Sequence, residues 1–482
     1  MLLTAKSFEF LVSRSGPEIA RRFQGLKAAG SVESMMYQAV IAQYSGKVTA
    51  AVSILERALK LCSKDEFPQV LELLVPILIM TGRILDAERI LDSAPPAVGT
   101  FASGRSAMYA ALYASDGNEA MSLSASARAR KSLHSATQVL GARTLQRLAF
   151  ASFWQGDVEG ALDDAISSAR LFESIGAYRS AAASYSIAYN VHHTLTGNVE
   201  TAYEFASRMT LFARRSEDKS FEAAGTVAQY ELAAEMYDRE SHERLGRALT
   251  LRPLPRQYKE RLARGIADCL PYGWQGDFMT FRANIAILRD GVAEGRAELS
   301  LCTALRSLAD AAIGERASAS QGARNAIALS GLTRPNEAAY ESRYRRLARG
   351  IACCTCMLLG DIVRARRTMQ IKRLDGHEDL RALLKVVEGM PFTEAPRSIR
   401  GYAVLVAKAR EILRTTSESP FTPGESVILR MLAEGQTAPE IARMLGRSVH
   451  TVRAHTRSII CKMDAKGRGA AIQAARRQGL LA

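Results

Sequence analysis

The chain has 482 residues, of which 48% are hydrophobic and 23% charged; this length predicts two or more domains, and the composition excludes disorder on a large scale. Its net charge of +15, from 64 basic and 49 acidic residues, favours an anionic partner, with nucleic acid ahead of a membrane surface. Residues 421–482 contain ten Lys/Arg and four Asp/Glu and carry +6, while the other 420 residues carry +9. Positive charge is therefore densest at the C-terminal end.

Cysteine usage and apolar run lengths exclude further classes of protein. The seven cysteines form neither an even framework nor two paired Cys-x-x-Cys motifs, so we expect no disulfide or zinc scaffold. Cys353, Cys354 and Cys356 point in different directions on a helix; we expect buried packing residues, with a metal or redox role as the alternative. Charges interrupt the first thirty residues, and the longest apolar run, 73–80, is too short for a membrane span. We therefore expect a cytoplasmic protein with neither a signal peptide nor a membrane partner.

The first four hundred residues repeat a unit of two helices joined by a turn that contains glycine. Successive turn glycines lie 36, 35, 39, 41, 79, 38 and 46 residues apart, and the gap of 79 predicts one further turn near 237–241. Because glycine adopts the left-handed conformation that ends a helix, a period of about forty residues predicts stacked helix pairs. The turn glycines are Gly46, Gly82, Gly117, Gly156, Gly197, Gly276, Gly314 and Gly360.

Small and large apolar residues follow the turn glycines at helical spacing. Ala51, Leu55 and Ala58 come 5, 9 and 12 positions after Gly46, and the same offsets recur after Gly82, so these residues share one helix face. The pattern resembles the tetratricopeptide repeat family, with a longer repeat and few of its aromatic anchors. We therefore expect residues 1–414 to form a tetratricopeptide-like α-solenoid. Such a solenoid presents a concave surface to a peptide, protein or small-molecule signal; the alternative is that its helices only position the C-terminal domain.

A short polar segment, 415–420, predicts a linker to a C-terminal domain at 421–482. Four helices are expected in this domain, because each of the first three follows a side chain that caps a helix N-terminus well. The first begins after Thr422, with Glu425 completing a capping box, and the second begins after Thr437, with Glu440 three positions on. The third begins after Ser448. The fourth begins near Gly469, and Gly479 ends it.

The third of these helices has one apolar and one basic face. Val452, Thr456, Ile459 and Met463 share the inward face, whereas Arg453 and Arg457 lie four residues apart on the other. Arginine can reach guanine edges bidentately, small residues permit close approach, and polar first-turn groups hold phosphates. We predict a recognition helix at 448–463 in the major groove, and a solvated helix face is the alternative. The expected contacts to double-stranded DNA are Thr437, Ser448, His450, Thr451, Arg453, Ala454, Arg457 and Lys462.

The caps and the basic helix together resemble the LuxR-type (GerE-like) DNA-binding domain. The resemblance implies an all-α fold with a helix-turn-helix unit at 437–456, in which Arg453, Ala454 and Arg457 face bases or adjacent phosphates. It also implies a transcription regulator that binds DNA as a homodimer through its fourth helix, with RNA polymerase as a candidate further partner. The matching residues are Thr422, Pro423, Glu425, Leu432–Gly435, Glu440–Ala442, Ser448, Thr451–Arg453, His455, Lys462 and Met463.

Three positions depart from the resemblance. Ser426 and Arg447 stand where the family usually has apolar residues, and Gly467 replaces a common asparagine; we expect Arg447 to point outward, toward solvent or a phosphate. His455 lies beside the apolar face of the third helix, and we expect it to be packed, with a base contact as the alternative. Cys461 is expected to be a small packing residue rather than a redox sensor.

The sequence lacks the common catalytic and cofactor-binding motifs. The chain contains no Gly-rich loop ending in Gly-Lys-Ser/Thr, no Gly-x-Gly-x-x-Gly, no Gly-x-Ser-x-Gly and no His-Glu-x-x-His. It is similar to the last two parts of large MalT-like regulators, which join an ATPase, helical repeats and this DNA-binding domain. We therefore predict a sequence-specific regulator that is not an enzyme and has no cofactor or metal. The alternative is an interaction scaffold with only weak, non-specific DNA contact.

Overall fold

The computed structural model is helical throughout, and no β-strand occurs among the residues that it describes. The predicted all-α fold class is therefore confirmed. In the described part of the chain, no helix is both long and apolar enough to cross a membrane. The described residues are 8–11, 14–24, 30–96, 99–250, 258–292, 297–331, 343–369, 378–417, 421–477 and 480–481.

The N-terminal helices are short and joined mostly by tight turns. A π-helical turn, Val191–Thr196, continues one of them, and 3₁₀ turns lie at Gly99–Phe101 and Leu133–Ser135. The helices are α1 (Gly16–Gln24), α2 (Val32–Tyr44), α3 (Val48–Leu61), α4 (Phe67–Met80), α5 (Ile84–Ser93), α6 (Ala102–Ser115), α7 (Glu119–Ser132), α8 (Gln138–Gln155), α9 (Val158–Ser174), α10 (Tyr178–Asn190), α11 (Val199–Arg215), α12 (Lys219–Glu235) and α13 (Arg239–Thr250).

The remaining helices continue to the C-terminus, with 3₁₀ turns at Phe392–Glu394 and Arg397–Ile399. They are α14 (Tyr258–Trp274), α15 (Phe278–Asp290), α16 (Ala297–Ala312), α17 (Arg316–Ser330), α18 (Arg343–Leu358), α19 (Ile362–Met369), α20 (Glu378–Glu388), α21 (Arg400–Ser417), α22 (Pro423–Ala433), α23 (Ala438–Met444), α24 (Val449–Lys462) and α25 (Arg468–Arg477).

The chain divides into two compact units. The first holds the described residues of 1–234, 238–264 and 333–343, and the second those of 235–237, 265–332 and 344–482. Helices α22–α25, where the DNA-binding domain is predicted, belong to the second unit together with α15–α17. Helix α21 extends to Ser417, so residues 415–417 of the predicted linker are helical, and residues 418–420 lie outside the described part.

The turns between paired helices have the predicted backbone conformation. All eight predicted turn glycines have positive φ angles, between 69° and 90°. The further turn expected near 237–241 is also present, where Tyr237 has a φ of 57° between α12 and α13. Glu217 has the same φ between α11 and α12, a turn that the glycine pattern missed. Non-glycine residues adopt this conformation at a cost of about 1 kcal/mol.

Small residues allow the helices of successive pairs to stack closely. Ala51, Leu55 and Ala58 are fully buried on α3, as their spacing from the turn glycine predicts. Helix α6 packs on both its partner α7 and the first helix of the following pair, α8. Ala110 of α6 and Ala151 of α8 lie fully buried in that contact. The observed arrangement is thus one of consecutively packed helix pairs.

A buried ion-pair network connects two pairs that are not adjacent in sequence. Glu72 of α4 is 1% exposed; its Oε2 lies 2.9 Å from Nε of Arg143 and 2.5 Å from Nη2 of Arg147, both on α8. Gly104 of α6 leaves room for the carboxylate, since a Cβ there would lie 2.6 Å from Oε1. Burial alone would raise the pKa of Glu72, but Arg147 and Arg143 outweigh it and lower that pKa. The carboxylate is therefore ionised and joins α4 to α8.

Replacing this carboxylate should destabilise the first unit strongly. Glu72→Gln is expected to lower the free energy of unfolding by about 3–5 kcal/mol, because it leaves two buried guanidinium groups without a counter-charge. Glu56→Gln is the matched control, because it breaks an ion pair between two more exposed side chains. The side chain of Glu56 is 37% exposed and that of its partner Arg83 is 42% exposed, so the loss of this pair should cost at most about 1 kcal/mol. Denaturant unfolding followed by circular dichroism measures both, and equal losses would contradict a structural role for Glu72.

The cysteines of α18 are packing residues, as expected. Cys353, Cys354 and Cys356 are all buried and not oxidised to disulfides. Burial raises the pKa of the Cys353 thiol to about 12 and that of Cys354 well above its usual value. Thiols with such raised pKa values hold little thiolate at neutral pH and are unreactive.

Candidate DNA-binding site

The first three of the four C-terminal helices begin where their caps predict. The backbone N–H of Thr422 donates to Oε2 of Glu425 at 2.7 Å, and the N–H of Glu425 donates to Oγ1 of Thr422 at 3.2 Å, so the capping box of α22 is complete. At α23, the carboxylate of Glu440 accepts from both the N–H and the hydroxyl of Thr437, each at 2.7 Å. The N–H of Thr451 donates to Oγ of Ser448 at 3.0 Å and caps α24.

A small apolar core holds these helices together. Gly435 and Gly446 have positive φ angles of 89° and 61° and form the turns that lead into and out of α23. The helix-turn-helix predicted at 437–456 is therefore α23, the turn at Gly446 and the first half of α24. The residues buried in this core include Ile428, Leu429, Leu432, Ile441, Ala442, Leu445, Val452, Ile459 and Met463, whereas Thr456, which was predicted to share the inward face of α24, is half-buried.

One face of α24 is exposed and carries most of the predicted DNA contacts. Arg453 and Arg457 are both exposed, and no hydrogen bond or ion pair engages their guanidinium groups within the described part of the chain. Ser448 and Thr451 share a hydroxyl hydrogen bond of 2.8 Å at the start of the helix. The structure thus brings together on one surface Ser448, His450, Thr451, Arg453, Ala454 and Arg457, and places the exposed Thr437 at the start of α23.

The opposite end of α24 is anchored by an acidic side chain. Glu425, whose side chain is 4% exposed, accepts from Oγ of Ser458 and from Nζ of Lys462, each at 2.5 Å. Lys462, a predicted DNA contact, therefore forms an ion pair with α22 in this structure. Burial alone would raise the pKa of Glu425, but the hydrogen bonds from Lys462, Ser458 and Thr422 outweigh it and lower the pKa to about 2.

Two hydrogen bonds hold the last helix of the domain, α25, against the end of the first, α22. Nη2 of Arg468 donates to the carbonyl oxygens of Leu432 and Gln436, both at 2.9 Å. The last carbonyls of a helix lack partners within it, and a cation there also interacts favourably with the helix dipole. The sequence reasoning did not identify Arg468 or Ser458 in these roles, because neither has a local signal for its partner.

The turn before α24 places Arg447 beside His455. Nη1 of Arg447 donates to Nε2 of His455 at 3.3 Å. Burial, followed by the charge of Arg447, lowers the pKa of His455, so its imidazole is neutral at pH 7. His455 is half-buried in this position, and Arg447 is half-buried too. Cys461 is exposed, so its prediction as a packing residue was wrong.

Residues 419–475 match the family described as bacterial regulatory proteins, luxR family. This segment is a LuxR-family domain. The match covers all of α22–α24 and most of α25, the region whose caps, turns and core are described above. No match to the chain was found among curated proteins. The LuxR-family domain supports a role for the chain as a DNA-binding regulatory protein, with DNA as a partner.

Proposed function

We propose that the protein is a sequence-specific transcription regulator that inserts α24 into the major groove of double-stranded DNA. The guanidinium groups of Arg453 and Arg457, which are exposed and have no partner among the described residues, carry this proposal. Side chains four residues apart on a helix lie on one face, and arginine can read two acceptors of a guanine edge at once. Ala454 between them allows the helix to approach the bases closely.

The remaining polar residues of the site are assigned to the DNA backbone. Ser448 and Thr451 lie at the N-terminus of α24, where hydroxyl and backbone N–H groups favour a phosphate. His450 is exposed in the same turn, and Thr437 is exposed at the start of α23. Lys462 contributes positive charge at the far end of α24. Phosphate contacts of this kind position the helix without reading sequence.

We further propose that the protein acts on DNA as a homodimer through α25. Gly467 and Gly469, just before and within α25, have open space where a Cβ would lie, which permits close approach of another helix.

For the repeated helix pairs we propose a tetratricopeptide-like region that binds a peptide, protein or small-molecule signal in the cytoplasm. RNA polymerase is a candidate partner of the regulator. The stacked pairs and their period of about forty residues support this role.

Selection from a random DNA library tests the central proposal. The full chain should enrich one sequence from duplexes with a randomised core, and two half-sites about one helical turn apart would indicate a dimer. Bound duplex should then resist competition by excess mixed-sequence DNA at physiological salt. A scaffold with only phosphate contacts would enrich no sequence and would lose the duplex to the competitor.

A further inference from the structure

The helix-turn-helix of α23 and α24 contacts the repeat helices of its own compact unit. Arg447, in the turn before α24, forms an ion pair with Oε1 of Glu315, which lies in the turn between α16 and α17. The side chain of Arg447 is 20% exposed and that of Glu315 34% exposed. Both residues belong to the second unit, so the contact lies within one compact body.

Two further features bring helices α15 and α16 close to the DNA-binding domain. Met279 of α15 packs on the apolar core of the DNA-binding domain. At the start of α22, a Cβ on Gly424 would lie 3.9 Å from the carbonyl oxygen of Ile313, two residues before Glu315. The ion pair is therefore one part of a docked surface that also includes apolar and backbone contact.

Among the described residues, Glu315 is the carboxylate that pairs with Arg447 directly, and Asp310 is a second carboxylate whose charge acts on it. Asp310 lies near it, but the carboxylate of Asp310 already pairs with Arg282 and accepts from the hydroxyl of Ser318. Arg282 adds positive charge close to Arg447. Glu315 therefore provides the direct counter-charge for Arg447. The LuxR-type resemblance leads one to expect an apolar residue at position 447.

The position of Arg447 makes this ion pair relevant to DNA. Arg447 immediately precedes Ser448, the N-cap of the helix that we propose enters the major groove, and the groove is bordered by phosphates. A basic side chain at that point is placed to contact a phosphate. Glu315 occupies the same guanidinium with a negative charge, and its carboxylate would repel an approaching backbone.

We propose that Glu315 and Arg447 form an autoinhibitory latch, in which the repeat region and the DNA backbone compete for the same arginine; this rests on the proposed DNA-binding function. The latch leaves the exposed Arg453 and Arg457 face uncovered. It therefore lowers affinity for DNA of every sequence and leaves base selectivity unchanged. By linkage, a ligand that binds the repeat helices more tightly in the docked state weakens DNA binding, and DNA weakens binding of that ligand by the same factor.

Glu315→Gln tests the latch in the full chain. Binding to a fluorescent 30-bp duplex of mixed sequence, measured by anisotropy, should tighten about fivefold, a typical coupling for a partly exposed charge pair within a docked surface. Asp361→Asn is the matched control, because Asp361 follows the turn glycine of the next helix pair, as Glu315 does, and the change removes the same charge. Asparagine also keeps the acceptor for the N–H of Arg364.

The effect must also depend on Arg447. In an Arg447→Gln background, Glu315→Gln should change affinity no more than Asp361→Asn does. Equal effects of Glu315→Gln and Asp361→Asn in the wild-type background would overturn the latch, as would a full Glu315→Gln effect without Arg447. These outcomes leave the DNA-binding function itself standing.

A measurement without DNA separates the latch from the proposed function. Hydrogen exchange of residues 444–452 should be faster in Glu315→Gln than in the wild-type chain and unchanged in Asp361→Asn, because only the former releases the turn. Unchanged exchange in Glu315→Gln would overturn the latch. Faster exchange in a chain of which no variant binds duplex DNA would overturn the DNA-binding function, and the autoinhibitory role with it.

Discussion

Replacing Arg453 and Arg457 together with alanine is expected to abolish the preference of the full chain for its selected DNA site. Each bidentate arginine–guanine contact contributes about 1–3 kcal/mol of discrimination between bases. Loss of both should therefore reduce the ratio of specific to random binding by at least about 30-fold. Both side chains are exposed, so the substitutions remove no packing and should leave the fold unchanged.

The control for this variant removes the same two charges from elsewhere in the domain. Arg430 and Lys466 are also exposed and lie outside the 437–456 helix-turn-helix. Arg430→Ala/Lys466→Ala should weaken binding to all DNA through the electrostatic contribution and leave the specificity ratio unchanged. Anisotropy with the selected duplex and with a mixed-sequence duplex gives that ratio for both variants. A ratio in Arg453→Ala/Arg457→Ala equal to that of the control would sink the assignment of α24 as the reading helix.

Local signals in the sequence were sufficient for the elements of the domain. Thr422 and Ser448 cap the helices that they were expected to cap, and Gly446 makes the turn between α23 and α24. Caps and glycine turns depend on residues within four positions of one another, so a single sequence contains all the required information. The same holds for the turn glycines of the repeats. At Glu217 the backbone turns with a positive φ although no glycine is present, so the glycine pattern could not predict that turn.

Contacts between distant residues were beyond that reasoning. Glu425 was predicted only as part of a capping box, yet its carboxylate also binds Ser458 and Lys462, 33 and 37 positions away. The partner of Arg447 lies in another helix pair altogether. Such contacts depend on how helices pack, and no period or cap indicates them. Cys461 is different, because it lies two positions after the buried Ile459 and helical geometry places its side chain on the opposite, exposed face. Its exposure could therefore have been predicted from the sequence.

Glu425→Gln is expected to loosen α24 without disturbing the cap of α22. Glutamine is accepted at the third position of a capping box, so the bond with Thr422 is retained. The variant loses the charged acceptor for Lys462 and Ser458, and hydrogen bonds to charged groups contribute about 1.5–3 kcal/mol. We expect the opening free energy of α24 to fall by this amount. Hydrogen exchange of residues 449–462 in the full chain measures it.

Glu440→Gln is the matched control for Glu425→Gln, and the pH dependence of the protection of α24 is a second test. Glu440 has the same position in the cap of α23 but is exposed and has no bond to α24, so its replacement should leave the protection of α24 nearly unchanged. The pKa of Glu425 is about 2 in the folded protein, against an ordinary 4.5. Its stabilisation is therefore complete above pH 4.5 and is lost as pH falls toward 2. The wild-type chain should lose protection of α24 across that window, whereas Glu425→Gln should lack that component of the pH dependence.

Glu425 also connects stability to DNA reading, although it touches the proposed DNA surface only through Lys462 and contacts neither reading arginine. Ser458 follows Arg457 directly, so the bond from Ser458 to Glu425 fixes the rotation of α24 at the second of the two reading arginines. A helix that rotates loses the alignment on which bidentate contacts depend. At neutral pH, Glu425→Gln should therefore reduce the specificity ratio, while Glu440→Gln leaves it unchanged. Weaker protection of α24 with full specificity would show that α24 regains its orientation on DNA without the anchor.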